Sequence, residues 1–222
     1  AGKALLAHPF ILHAVEKLQG RNFIPTWDTI VFKAAGKGAA TPWHRDAGMD
    51  FYDDEHYKTP IFNVDFYLDE ADLSNCVRGI PGSNQWSETQ AKQTIIRLNN
   101  EGYDPSEAVP ILMRPGDVLF HNILTLHGSP PCDSPLRRVI YYEFRPGELE
   151  REKGPHIPEY VPTKQRVLLA CLRDRNQASY IDDAASFEYN PENDFAPPSL
   201  DNGEILETYR YPHKQYWRRK ST

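Results

Sequence analysis

Three cysteines in 222 residues, with no CxxC pair, leave little material for a disulfide framework or a cysteine-based zinc site. Cys76, Cys132 and Cys171 fit a reducing compartment, and a cytoplasmic location is the expectation that follows. Long apolar runs are missing too. None approaches the roughly 20 residues that a membrane-spanning helix needs. No positively charged segment followed by an apolar stretch opens the chain, so neither a signal peptide nor a membrane partner is expected. Positive charge is in short supply: 25 Lys and Arg against 31 Asp and Glu leave a net charge of −6. Such a balance repels phosphate backbones and argues against nucleic acid as a partner. The one basic cluster, Arg218-Arg219-Lys220, reads as a solvated tail. There is no internal repeat, and nothing in the pattern specifies an oligomeric state.

What is present is material for one sizeable core. Hydrophobic residues make up 40% of the chain, including 12 Tyr and 10 Phe. Pro9 to Gln19 reads as a helix, with Pro at a favourable first position, Ile11, Val15 and Leu18 on one face and Gly20 to close it. Thr29–Ala35, Ile61–Leu68, Asn75–Ile80 and Val139–Phe144 read as strands. Ile111–Met113 and Val118–Leu126 flank a Pro115-Gly116-Asp117 turn and read as a hairpin. Ser87 with Gln90 has capping-box spacing ahead of a helix running to Asn100, and Gly102 follows it. After Arg145, prolines recur and one helix is expected, Lys164–Arg173. The expected organisation is a β-rich core over 1–148 and a C-terminal extension over 149–222 packed on it. Many short strands with Gly and Pro turns point to a mainly β fold of sandwich or jelly-roll type.

The chemistry concentrates in Thr41-Pro42-Trp43-His44-Arg45-Asp46. In extended backbone, residues two apart point to the same side, so His44 and Asp46 converge on one point. A second imidazole from another strand would complete a two-histidine, one-carboxylate triad. That set leaves three adjacent positions open, which suits Fe(II) that must bind a cosubstrate and O₂ together. HxD alone is weak, because short patterns arise by chance and an Asx turn on a surface loop explains them equally well. The second half is Gly116-Asp117-Val118-Leu119-Phe120-His121, then Thr125-Leu126-His127-Gly128-Ser129, then Arg137 and Arg138 opening the next strand. An arginine one strand beyond a metal-binding histidine can hold the distal carboxylate of a dicarboxylate whose other end chelates the metal. 2-Oxoglutarate is such a molecule.

Taken together and in order, WHRD at 43–46, YLDEA at 67–71, RGIPGSNQW at 78–86, RPGDVLFHN at 114–122, LHGS at 126–129 and LRRVIYYEF at 136–144 resemble the phytanoyl-CoA dioxygenase family of Fe(II)/2-oxoglutarate oxygenases. The resemblance runs over roughly residues 9 to 146. It implies a double-stranded β-helix (jelly-roll, cupin-like) core with flanking helices. It also implies His44, Asp46 and His127 as iron ligands, Fe(II) as the metal, and 2-oxoglutarate and O₂ as cosubstrates. One of Arg137 and Arg138 would bind 2-oxoglutarate. Strand alternation lets one of the two face inward; the family's Arg-Arg pattern favours Arg137, while counting from His127 favours Arg138, and Arg137 is preferred. The chain departs from the family at Asn84, where His often follows Pro-Gly-Ser. The family also carries further N-terminal residues that this sequence does not contain.

The implied reaction is oxidation of a small-molecule substrate, hydroxylation in the first instance, with release of succinate and CO₂. Asp46 stands where related halogenases carry a small residue, which favours hydroxylation over halogenation. Two other classes fit the same residues: a cupin-like metal-dependent hydrolase or isomerase, which would need no arginine anchor, and a binding module of the same fold without catalysis. Trp43, Asp65, His121 and Ser129 are candidates for the pocket or for support of the ligands. His121 could compete as a ligand, and the blander reading is a satisfied buried histidine. Asp65 falls mid-strand, where a carboxylate is expensive unless paired, or where it faces solvent. Trp43 reads as a core aromatic. His8, His13, His56, His156 and His213 have no partner at ligand spacing and read as surface residues. Asp50, Asp53, Asp54 and Glu55 make the stretch after HxD acidic, and a solvated loop explains them.

Overall fold

The computed structural model describes residues 2–46, 60–132, 136–178 and 186–195. The acidic stretch at 50–55 and the basic cluster at 218–220 lie outside these residues. The chain forms two compact units, one of Trp27–Asp53 and Phe62–Glu143, the other of Ala1–Thr26, Asp54–Ile61 and Phe144–Thr222. This grouping places the first 26 residues with the C-terminal segment. No helix among the described residues is long and apolar enough to cross a membrane.

The first of these units is built on β-structure. Its strands belong to two four-stranded sheets, with β1 (Phe23–Lys33), β8 (Arg137–Pro146), β3 (Phe62–Tyr67) and β6 (Val118–Asn122) in the order β1-β8-β3-β6. The other sheet orders β2 (Thr41–His44), β7 (His127–Ser129), β4 (Val77–Gly79) and β5 (Val109–Ile111) as β2-β7-β4-β5. β3 pairs antiparallel with β6, Asn63 opposite His121 and Asp65 opposite Leu119. β7 sits between two antiparallel neighbours, pairing His44 with His127 on one side and Gly79 with His127 on the other.

The expected hairpin at 111–126 does not form. β5 pairs with β4 and β6 pairs with β3, so the Pro115-Gly116-Asp117 turn passes the chain from one sheet to the other. Gly116, at φ +93, and Asp117 close that turn against the backbone of Tyr67. The strand expected to run to Leu126 also stops at Asn122, whose side chain accepts from the Leu124 N–H at 2.9 Å and starts a turn.

Helix α3 (Glu88–Glu101) starts as the capping spacing predicts: the Ser87 hydroxyl accepts from the Gln90 N–H at 3.2 Å, and Gly102 ends it. Its Ala91 and Leu98 pack with Trp43, Ile80 and Leu126. The Asn99 side chain donates to the Trp43 carbonyl and accepts from the Trp43 N–H at 2.8 Å, so it satisfies both backbone groups of that residue. The Trp43 indole N–H donates to the Gly102 carbonyl at 2.8 Å. Trp43 is thus a core residue that ties β2 to α3.

The other unit is mostly helical. It carries α1 (Gly2–Leu6), α2 (Pro9–Gln19), α4 (Gly147–Lys153) and α5 (Tyr160–Asn176). The α2 bounds match those read from the sequence. α5 is longer than the expected 164–173, because Pro162 falls in its first turn, where a missing N–H costs nothing. Phe187, Tyr189 and Phe195 of the extended C-terminal segment are buried, with Tyr189 donating to the Phe23 carbonyl at 2.8 Å. His156, read as a surface residue, is buried instead; Glu150 faces its Nδ1 at 2.6 Å and also takes Arg145 at 3.0 Å. His13 is exposed and His8 half-buried, while His56 and His213 lie outside the described residues.

Candidate metal centre

His44 ends β2 and His127 begins β7, and the pairing of those strands sets them opposite each other, ring centroids 4.3 Å apart. Gly128 makes this approach possible. A Cβ there would meet the Thr41 carbonyl oxygen at 3.1 Å and the Trp43 backbone at 3.2 Å. Asp46 follows β2 by two residues, and its N–H donates to the Ile123 carbonyl at 3.0 Å. The turn between His121 and His127 therefore anchors the backbone of Asp46. His44, Asp46 and His127 each offer a ligand atom, all within 4.8 Å of one another.

Both imidazoles are oriented the same way. Nδ1 of His44 faces the Pro42 carbonyl at 2.7 Å, and Nδ1 of His127 faces the Thr125 carbonyl at 2.9 Å. A carbonyl oxygen can only accept, so each neutral ring carries its hydrogen on Nδ1 and turns the Nε2 lone pair inward. Those Nε2 atoms lie 3.3 and 3.6 Å from Oδ1 of Asp46. Burial pushes the His127 imidazole down to about 4, so it is neutral and able to ligate at physiological pH. A hydrogen bond from the protonated ring to Asp46 raises His44 against the effect of its burial. Burial would lift the Asp46 carboxyl, but His121 and His44 outweigh it and hold the group well below the usual carboxylate range.

His121 does not join this set of three. Its Nε2 faces Oδ2 of Asp46 at 3.0 Å and its Nδ1 faces Asp65 at 2.9 Å. Burial disfavours charge on this ring, yet Asp65 and Asp46 push it up to about 10, which suits a doubly protonated ring donating to both carboxylates. Asp65 is buried, not solvent-facing. Asn63, unremarked in the sequence, donates to the same Oδ2 of Asp46 at 2.8 Å.

The two arginines separate. Arg137 is buried, donating to the Asn75 carbonyl at 2.5 Å, and its Nε has no hydrogen-bond partner. Arg138 forms a two-pronged ion pair with the Asp69 carboxylate at 2.8 and 2.9 Å on the other side of β8. A second buried cation accompanies Arg137. Lys33, at the end of β1, donates to the Ser129 hydroxyl at 2.6 Å and to the Pro130 carbonyl at 2.5 Å. Burial, then the neighbouring Arg137, push its ammonium down to about 8. Neither cation makes an ion pair with a carboxylate among the described residues, and the buried Tyr67 hydroxyl nearby also has no hydrogen-bond partner. Lys33 and Tyr67 were not singled out from the sequence. A lysine in TIVFKAA reads as ordinary strand alternation, and its burial is created by Ser129, 96 residues away.

A family model for phytanoyl-CoA dioxygenase (PhyH) matches residues 2–140. The chain belongs to the phytanoyl-CoA dioxygenase family. A probable alpha-ketoglutarate-dependent hypophosphite dioxygenase of Stutzerimonas stutzeri is 31% identical over 111 residues, 46% of this chain and 37% of that protein. EvdMO1 superimposes with a TM-score of 0.51 at 27% identity, over 64% of this chain and 32% of its own. EctD of S. alaskensis, in its apoform, does so with a TM-score of 0.53 at 19% identity, over 68% of this chain and 54% of its own, a likeness of fold. The chain thus spans about a third of the length of the first two relatives it matches.

Proposed function

We propose that this chain carries the metal- and cosubstrate-binding core of an Fe(II)- and 2-oxoglutarate-dependent oxygenase acting on a small molecule, built as a double-stranded β-helix. The observation that carries the reading is the pairing of two unlike sites in one β-unit. One is a His44–Asp46–His127 cluster with both Nε2 atoms turned toward one carboxylate oxygen. The other is a pair of buried cations, Lys33 and Arg137, neither of which makes an ion pair with a carboxylate among the described residues.

The residues fit the groups. His44, Asp46 and His127 would hold Fe(II) with positions to spare, and the donor set of two imidazoles and a carboxylate is the one such chemistry uses. Arg137 Nε and the Tyr67 hydroxyl are buried donors that lack an acceptor, and a distal carboxylate of 2-oxoglutarate supplies two oxygens. Lys33, oriented by Ser129 and Pro130, adds a second positive charge to the same end. When bound, the iron with 2-oxoglutarate and O₂ supplies the oxidising chemistry that releases succinate and CO₂. The chain fixes the imidazole tautomers through Pro42 and Thr125, holds the carboxylate, and keeps the anion end dry enough for its charges to count. Asp46 fills the carboxylate position, which supports hydroxylation or a related oxidation over halogenation.

Incubation of the protein with Fe(II), 2-oxoglutarate and O₂ tests this reading by the succinate formed. Slow succinate release that vanishes in His127→Ala is expected. Succinate formation that persists in that variant would remove His127 from the site.

A further inference from the structure

Asp46 is held by more groups than a ligand set requires. Its two carboxylate oxygens have separate surroundings. Oδ1 faces the Nε2 atoms of His44 and His127. Oδ2 faces the other way, toward Asn63 Nδ2 at 2.8 Å and His121 Nε2 at 3.0 Å. His121 is fixed in turn from behind, its Nδ1 on Asp65 at 2.9 Å. Asn63 and Asp65 are two apart on β3 and project from the same face, and the β3–β6 register sets His121 directly opposite Asn63. One strand pair therefore builds the whole arrangement.

We propose that Asn63, His121 and Asp65 form a positioning unit that reserves Oδ2 of Asp46, leaving Oδ1 alone for the metal. The inference rests on His44, Asp46 and His127 being the ligand set. A carboxylate with both oxygens free can swing to grip a metal with both, which would consume a position that the triad otherwise leaves open for cosubstrate. Two donors on Oδ2, both hydrogen-bonding to a charged acceptor, oppose that rotation. Asn63 is the informative member, because a neutral amide that donates one N–H to Oδ2 neither ligates iron in this set nor supplies charge. His121 acts through Asp46 and not as a fourth ligand, since its Nε2 addresses Oδ2 and not the Oδ1 side where the other two imidazoles meet. Asp65, almost wholly buried, has its described hydrogen bond to His121 and serves to aim that ring.

The test uses Co(II) as the probe, its affinity measured by competition with a chromophoric chelator in the full chain, with thermal unfolding followed in parallel. Asn63→Ala and His121→Leu are each expected to weaken Co(II) binding about 10- to 100-fold. The double variant should fall little further, because both side chains act on one oxygen. His121→Gln, which keeps a donor, should recover part of the loss. The Co(II) visible spectrum of Asn63→Ala should also change as the carboxylate rotates. If His121→Leu does not fold, Asn63→Ala and His121→Gln carry the test. Wild-type Co(II) affinity and spectrum in folded Asn63→Ala, alongside lost binding in Asp46→Ala, would leave the ligand set standing and overturn the positioning unit. Unchanged binding in Asp46→Ala would overturn the ligand set and the positioning unit with it.

Discussion

The two ends of the site solve opposite electrostatic problems. Around Asp46, three imidazoles and an amide close on one carboxylate, and the polar contacts are made within the protein. Around Arg137 and Lys33, two positive groups lie buried beside each other, and the nearest oxygens are carbonyls and a hydroxyl. The face of β3 that carries Asn63, Asp65 and Tyr67 runs from the first end toward the second. Only the second end leaves buried donors, Arg137 Nε and the Tyr67 hydroxyl, without an acceptor among the described residues. A buried ion pair can be neutral or even costly overall, and a buried cation that makes no direct ion pair is less favourable still. The chain keeps such a pair at the end where a dicarboxylate is proposed, and builds a self-contained cluster at the end where a metal is proposed.

Loss of a metal ligand is expected to have the largest effect. His127→Ala and Asp46→Ala are expected to cost at least about 100-fold in Fe(II) affinity, more than loss of a supporting hydrogen bond, read by anaerobic metal titration. Next in size is the cation end. Arg137→Met should leave Fe(II) affinity near wild type and weaken 2-oxoglutarate by about 30-fold or more, the loss of a buried charge-paired contact of at least about 2 kcal/mol. Calorimetry with and without the metal separates the two effects.

Lys33 gives the pH signature. Its ammonium is pushed down to about 8 from an ordinary 10.5. Below pH 8 both states carry the proton and the cost of the buried charge is present in full. Between about 8 and 10.5 the native state has released the proton that the unfolded chain keeps, so stability rises with pH across that window. The affinity for 2-oxoglutarate should move the other way, falling as pH passes through 8 and the charge is lost. Lys33→Met should flatten both profiles, and unchanged slopes would detach Lys33 from the site.

The geometry of β2 and β7 can be tested by adding one methyl group. Gly128→Ala drives a Cβ against backbone at 3.1 to 3.2 Å, and overpacking of this kind costs roughly 1–3 kcal/mol. A lowered melting temperature with a parallel loss of metal affinity is expected, because the strand pairing that shifts is the one that holds His44 opposite His127. Smallest of all is Arg138→Ala. Its partner Asp69 lies near the surface, and a solvent-screened ion pair contributes little. It should leave 2-oxoglutarate binding untouched.

Features set by local chemistry were readable in the sequence. The proline that opens α2 and the serine that caps α3 act within one helical turn, and both helices form where those residues place them. The HxD spacing was readable for the same reason, since two residues of extended backbone suffice to align His44 with Asp46. Features set by pairing at a distance were not. The Pro115-Gly116-Asp117 turn has the composition of a hairpin, but its flanking strands find partners in different sheets, at Val77–Gly79 and Phe62–Phe66. His121 and His127 are six residues apart but separated by a turn, and still lie with ring centroids 4.9 Å apart. The choice between Arg137 and Arg138 needed to know what stands beside each, and Asp69 is 69 residues from Arg138. Asn63 and Lys33 carry no signal of their own, because an amide or a lysine in a strand is ordinary until its neighbours are known.

The measurement that bears most directly on the central claim is anaerobic titration of the metal-free protein with Fe(II) and then 2-oxoglutarate, following the weak visible charge-transfer absorption of the chelate. A band is expected in the wild type and in Arg138→Ala, and its loss in His127→Ala and Arg137→Met. Metal binding without any band on addition of 2-oxoglutarate would contradict it, and would turn the same ligands to the metal-dependent hydrolase or isomerase chemistry that needs no dicarboxylate.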